Sequence, residues 1–171
     1  MQHIRPATPA DAAALAAVEV TSWQAAYRGL MPDAFLAALS PEDKADKWQR
    51  SLLKHGPTGR KRVLVAVEDA AILGFVRFGP AEETATSGLI YLLYVLPTAW
   101  GRGIGKALLR AALADLHTRC LHEAHLWVLR DNQRARRFYE SRSWQPTGQT
   151  TSADYGGLPL EALCYRLAIA G

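Results

Sequence analysis

Apolar and polar positions along this chain follow two periods, and they divide it into strands and helices. Val63 to Glu68 and Ile72 to Phe78 are β-branched and aromatic runs joined by Asp69-Ala70-Ala71, a link short enough for a hairpin. Leu89 to Val95 is apolar on both faces, as a central buried strand requires, and Pro97 ends it. Ile104, Leu108, Ala112 and Leu116, with Leu109 and Leu113, repeat at the spacing of one helix face. Further strands are expected over Ala124 to Arg130 and Leu160 to Ala168, the second after a loop marked by Gly156, Gly157 and Pro159. Between Gly79 and Gly88 the chain reads as a polar loop carrying Glu82 and Glu83.

The N-terminal part is mostly helical. After a short strand from Ile4 to Ala7, Thr8, Pro9 and Asp11 make a helix-start signal. That helix runs through Leu15 and Val18 toward Tyr27, and Gly29 and Pro32 interrupt it. Ser40, Pro41 and Asp43 open a second helix through Trp48 to Leu52, and a loop follows from His55 to Lys61. Asp131 or Asn132 caps a later helix in which Ala135, Phe138 and Tyr139 share a face. Early helices, a mixed sheet and crossover helices between the later strands define an α/β fold.

Composition narrows the class. A chain of 171 residues, 49% hydrophobic and 21% charged, fits one globular domain over its whole length. No apolar run reaches the length of a membrane span, and Met1 to Arg5 lacks the apolar core of a signal peptide, so a cytoplasmic location is expected. Cys120 and Cys164 have neither metal nor framework spacing and are expected to be interior reduced thiols. His117, His122 and His125 match no ligand set, so no metal is expected. The net charge of +4 suits an anionic partner. Nucleic acid is disfavoured, because no helix-turn-helix, zinc or RNA-reading motif is present.

The most specific stretch is Gly101-Arg102-Gly103-Ile104-Gly105-Lys106, between the apolar strand and the apolar helix. Glycines there allow a sharp turn and leave backbone N–H groups uncovered at a helix N-terminus, a cradle suited to phosphate. A plain glycine turn is the structural alternative. Two nucleotide readings fail on spacing. G-x-G-x-G is not the dinucleotide fingerprint, and Ala107 replaces the hydroxyl that a P-loop needs for magnesium.

Downstream, Asn132, Ala135, Phe138, Tyr139 and Glu140 form N-x-x-A-x-x-F-Y-E. This resembles the second signature of the GNAT family of acetyl-CoA-dependent N-acetyltransferases. The glycine stretch resembles that family's pyrophosphate loop, and Leu93-Tyr94-Val95-Leu96-Pro97 resembles the strand before it. The two motifs stand in the family's order, and the specific match covers about residues 89–144. The resemblance implies a mixed, mostly antiparallel sheet whose central strands splay to admit the pantetheine arm, with helices on its flanks. Dimers are common in folds of this kind, so a homodimer is expected by analogy alone, the sequence leaving oligomeric state open. Three residues depart from the pattern: Trp100 stands for Arg or Gln, Ser143 for Gly, and Leu89 for a strand glutamate used as general base in many members.

By the same resemblance, acetyl-CoA is the cosubstrate. Its phosphates would lie on Trp100, Gly101, Arg102, Gly103, Ile104, Gly105 and Lys106, with Arg134 nearby. Its arm would lie along Leu93, Tyr94 and Val95 and against Asn132, Ala135 and Phe138. The Val95 N–H would polarise the thioester carbonyl, and Tyr139 would protonate the leaving thiolate. With Leu89 in place of the glutamate, the base remains open among Glu82, Glu83, Tyr91 through water, Glu19 and Asp154. Trp23, Tyr27, Tyr91 and Tyr155 are candidate walls for the acceptor, or core filling. The expected reaction is direct transfer to a primary amine in a ternary complex, the acceptor being a small molecule. A protein N-terminus or lysine is the rival acceptor, and a non-catalytic acyl-CoA sensor is the rival class.

Overall fold

The computed structural model describes residues 3–82 and 86–169. Glu83, one of the candidate bases, lies outside them. Seven strands form one sheet: β1 (His3–Pro6), β2 (Arg62–Glu68), β3 (Ala71–Pro80), β4 (Ser87–Val95), β5 (Glu123–Leu129), β6 (Gln145–Tyr155) and β7 (Leu158–Ala168). Their order is β1-β2-β3-β4-β5-β7-β6. Every neighbouring pair is antiparallel except β4 and β5. The helices are α1 (Ala12–Ala26), α2 (Asp33–Ala37), α3 (Pro41–His55), α4 (Ile104–Thr118) and α5 (Gln133–Glu140). The expected mixed, mostly antiparallel sheet flanked by helices is what forms.

Alternation along the strands sends side chains to two cores. On one face Val63, Val65, Val67 and Phe75 pack against Leu15, Val18, Trp48 and Leu52 of α1 and α3. On the other, Ala66, Val76, Ile90, Leu126 and Val128 pack against Ile104, Leu108, Ala112 and Leu116, with Phe138 and Tyr139 of α5 at the margin. From β4 to β5 runs a parallel crossover through α4, which the glycine stretch begins.

Four details differ from the sequence expectation. The 79–88 loop is shorter than expected, because Gly79 and Pro80 stay in β3 while Ser87 and Gly88 begin β4. An unforeseen strand, β6, pairs with β7; it is exposed along nearly its whole length, so it has no apolar alternation to reveal it. The short α2 fills the interval after Pro32. Of the two free thiols only Cys164 is interior, whereas Cys120 is exposed.

The entry to α1 is fixed electrostatically. Asp11 accepts from the Thr8 N–H at 2.7 Å, and the Arg5 guanidinium grips both its oxygens at 2.7 and 2.8 Å. Further along α1, buried Glu19 accepts from Lys44 Nζ at 2.6 Å and from Trp48 Nε1 at 2.8 Å, which ties α1 to α3. These anchors set the position of α1, whose last turns bring Ser22 and Trp23, and Tyr27 just past its end, to the cavity.

The Arg5 hydrogen bonds hold the Asp11 carboxyl down at about 2, against burial, which opposes them. A folded-state value below the unfolded one means stability that is present above the ordinary carboxylate range and lost as pH falls toward 2. Asp11→Asn is therefore expected to cost about 1–2 kcal/mol at pH 7, the Arg5 side being partly hydrated. Denaturant titrations at pH 7 and near pH 2 check this: the difference between wild type and variant should shrink at the acid end.

Candidate active site

The site begins where one ladder stops. β4 and β5 pair from Ser87↔Glu123 to Ile90↔Leu126 and no further. On its other side β4 stays paired with β3, but the register passes from Arg77↔Leu92 to Phe78↔Ile90. Tyr91 is the extra residue of a bulge, which bends and twists β4 just where it parts from β5. Meanwhile β5 continues against β7 as far as Leu129↔Ala162. The two central strands therefore diverge, and a cavity of about 500 Å³ opens between them.

Backbone geometry decides which groups face that gap. The Leu96 N–H donates to Leu73 O at 2.8 Å on the β3 side. By the alternation of an antiparallel ladder, Leu93 and Val95 then turn their N–H and C=O groups away from β3, into the gap. The Val95 carbonyl is already engaged there by Ser22 Oγ at 3.1 Å and Trp100 Nε1 at 2.8 Å. Both donors hold the strand end in place and leave the Val95 N–H as the donor facing the cavity.

At the end of β4 the glycine turn follows. Gly101 and Gly103 have φ of 78° and 80°, a left-handed conformation that glycine adopts without strain. A Cβ on either would meet no protein atom within 4 Å, so the space beside the turn is open. Gly103 caps α4, and Ala107 N–H bonds back to Gly103 O at 3.0 Å. The N–H groups of Ile104, Gly105 and Lys106 ahead of it have no intrahelical acceptor. Lys106 lines the cavity here. The Arg134 guanidinium stacks 3.2 Å from the Trp100 ring centroid. Arg102 contributes only backbone, since its side chain turns to Glu68 at 2.6 and 2.8 Å. Uncovered N–H groups, a helix N-terminus and two cations around open space fit a pyrophosphate.

α5 closes the side opposite. Asn132 Oδ1 accepts from Ala135 N–H at 3.1 Å, so Asn132, not Asp131, is the cap. Phe138 lies over Gly105, and Tyr139 stands edge-on between Phe138 at 5.1 Å and Trp144 at 5.9 Å. Burial pushes the Tyr139 phenol well above its ordinary value, and the nearby Tyr27 adds to this. Ser143 takes a φ of 64°, the left-handed region that favours the glycine expected at this position, and turns Trp144 back under Tyr139. Arg142, absent from the sequence candidates, lies 3.9 Å from the Phe138 centroid and lines the cavity. Its place four residues after Phe138 is the only sequence signal it has.

The far end is aromatic. Trp23 meets Tyr27 at 5.1 Å, Tyr155 at 6.1 Å and Tyr94 at 6.4 Å, and Met31, Leu129 and Ala162 complete the wall. Tyr91 also lines the cavity, but its hydroxyl donates to Pro80 O at 3.0 Å. Leu89, the position of the expected glutamate, lies in the paired part of β4 opposite His125.

Among the described residues, the candidate carboxylates are not brought to the cavity. Glu82 is 71% exposed and paired with Lys61 at 2.9 Å, which holds its carboxyl below the usual range. Glu19 is engaged by Lys44 and Trp48, and Asp154 accepts from Gly157 N–H at 2.9 Å in its own turn. Among the described residues no carboxylate lines the cavity.

Comparison with known proteins agrees with this geometry. Residues 23–144 match the model of the acetyltransferase (GNAT) family. The chain belongs to the GNAT family. It is thereby an acetyl-CoA-dependent acyltransferase. It is 30% identical to the N-acetyltransferase YuaI of Bacillus subtilis (strain 168) over 77% of its own length and 74% of the relative's. It is 38% identical to an N-acetyltransferase of Archaeoglobus fulgidus over 68% of its length and 77% of the relative's. In fold it is similar to the PaiA N-acetyltransferase of Thermoplasma acidophilum, solved in complex with coenzyme A, with a TM-score of 0.81 at 20% identity over 98% of this chain and 99% of that one.

Gly103→Val forces a β-branched residue into the left-handed region and places its side chain in the cradle. The expected cost is about 1–2 kcal/mol of stability with the fold retained. Melting curves with and without acetyl-CoA test the second effect: the ligand-induced rise in Tm of the wild type should disappear.

Proposed function

We propose that this enzyme transfers the acetyl group of acetyl-CoA to a primary amine of a small molecule, by direct attack within a ternary complex. The observation that carries the reading is the open edge of β4 at Leu93 and Val95, which runs from the glycine cradle to the aromatic end of the cavity. Acetyl-CoA supplies an activated thioester carbonyl.

The cradle N–H groups, Lys106 and Arg134 bind the phosphates. Leu93 and Val95 receive the pantetheine arm as an added strand would be received, and Asn132 joins them beside its cap bond. The Val95 N–H faces the carbonyl oxygen as negative charge develops on it. Tyr139 gives its proton to the leaving sulfur. Burial keeps this phenol protonated at every physiological pH, so the proton is present to be given, while the raised pKa also makes the phenol a weaker acid.

Deprotonation of the amine is the harder step. For a lysine-like amine the neutral form at pH 7 costs about 4.6 kcal/mol. No lining carboxylate serves as base among the described residues. The apolar cavity does part of that work itself, because leaving water disfavours the ammonium form and lowers the amine's pKa. The proton is lost to solvent as the amine enters.

Two measurements follow from this. Tyr139→Phe is expected to lower kcat about tenfold to a hundredfold, with acetyl-CoA affinity unchanged by calorimetry. An unchanged kcat would remove the acid role. The pH profile of kcat/KM for the amine should climb about tenfold per unit through neutrality, without the plateau that a carboxylate base would produce. Tyr139 should add no falling limb below its ordinary value, because its pKa is raised.

A further inference from the structure

On the acetyltransferase reading above, the geometry points to a narrower acceptor class: a monoamine carried on an aromatic or bulky apolar body, not a polyamine and not an acidic amino acid. The far end of the cavity is walled by Trp23, Tyr27, Met31, Leu129, Tyr155 and Ala162. Its rings are fixed by mutual edge contacts. Trp23 touches three tyrosines, and Tyr155 is backed by Phe35 at 6.0 Å and 80°. Such a wall offers area and π-faces to an apolar body, and it costs little ordering on binding because it is already packed.

Charge excludes the other classes. A polyamine brings a second ammonium, which needs a carboxylate once it leaves water. Among the described residues no carboxylate lines the cavity, and Glu19, one helical turn before Trp23, is occupied by Lys44 and Trp48. Lys44 Nζ itself lies 5.4 Å from the Trp23 ring centroid, so the charge behind the wall includes a cation. Asp154 is turned to Gly157. An acidic amino acid needs a cation, but the lining cations Lys106, Arg134 and Arg142 are gathered at the other end, around Trp100 and Phe138. One amine reaching toward Val95 and Tyr139, with its body on Trp23, satisfies every wall.

The transfer balances without a further reactant. The amine nitrogen bonds to the acetyl carbon, and the carbon–sulfur bond breaks. The sulfur takes the Tyr139 proton, and the proton shed by the amine returns to Tyr139 through solvent. The products are an acetamide and free CoA.

Thiol release by the full chain is measured with acetyl-CoA and, separately, 2-phenylethylamine, tryptamine, putrescine, spermidine, L-glutamate and an alanyl peptide amide. The expected kcat/KM for the two aromatic amines exceeds that for putrescine and spermidine by about a hundredfold, the scale set by an unpaired buried charge. Trp23→Ala, or Tyr155→Ala should the first fail to fold, is expected to raise KM for 2-phenylethylamine about tenfold while acetyl-CoA affinity stays unchanged. Equal or better turnover of a polyamine, L-glutamate or the peptide overturns the acceptor class. So does a stabilising effect of acetyl-CoA with no turnover of either aromatic amine. Absence of any acetyl-CoA effect on Tm overturns the acetyltransferase reading beneath it.

Discussion

The structure depends on the point at which β4 stops pairing with β5. Up to Ile90 the two strands share a parallel ladder, and after the bulge at Tyr91 they do not. An unpaired stretch of central strand is costly, since buried backbone groups need partners. The molecule tolerates it because β3 holds the other edge of β4 and β7 holds the other edge of β5 as far as Leu129. With both strands braced from outside, their inner edges are free for a ligand. The glycine cradle, Tyr139 and the aromatic wall are arranged around that opening.

Trp100 shows how a departure from the family pattern is absorbed. It replaces the usual Arg or Gln, yet its ring nitrogen ties down the Val95 carbonyl and its face supports the Arg134 guanidinium. Together with Ser22 from α1 it joins three elements at the end of β4. The anchoring of α1 by Arg5, Asp11, Lys44 and Trp48 thus reaches the end of β4 and the cavity beside it. The cavity is also polarised along its length, with cations at the turn and uncharged rings at the far end.

Much of this was legible in the sequence where one residue pattern serves one local structure. The two-faced apolar run of β4, the glycine turn and the helical stripe of α4 were all readable, as was the shared face of Ala135, Phe138 and Tyr139. What could not be read depends on partners distant in the chain. β6 is a polar, exposed strand with no period of its own. The bulge at Tyr91 is a matter of register with β3. Ser22 and Arg142 matter only through contacts made in three dimensions. Glu82 drew attention by its nearness in sequence to β4, but Lys61 holds it at the surface.

The gap donors of Leu93 and Val95 belong to the main chain, whereas the wall around Trp23 is made of side chains. Substitution cannot delete an N–H of β4 unless it introduces proline, so the carrier half of the site is insulated from most point mutations. The opposite half has no such protection: each change at Trp23, Met31 or Tyr155 alters the shape of the cavity wall, and on the proposed reading the shape presented to the second substrate. One scaffold can therefore keep its acyl donor through long sequence drift while its acceptor changes from one descendant to the next.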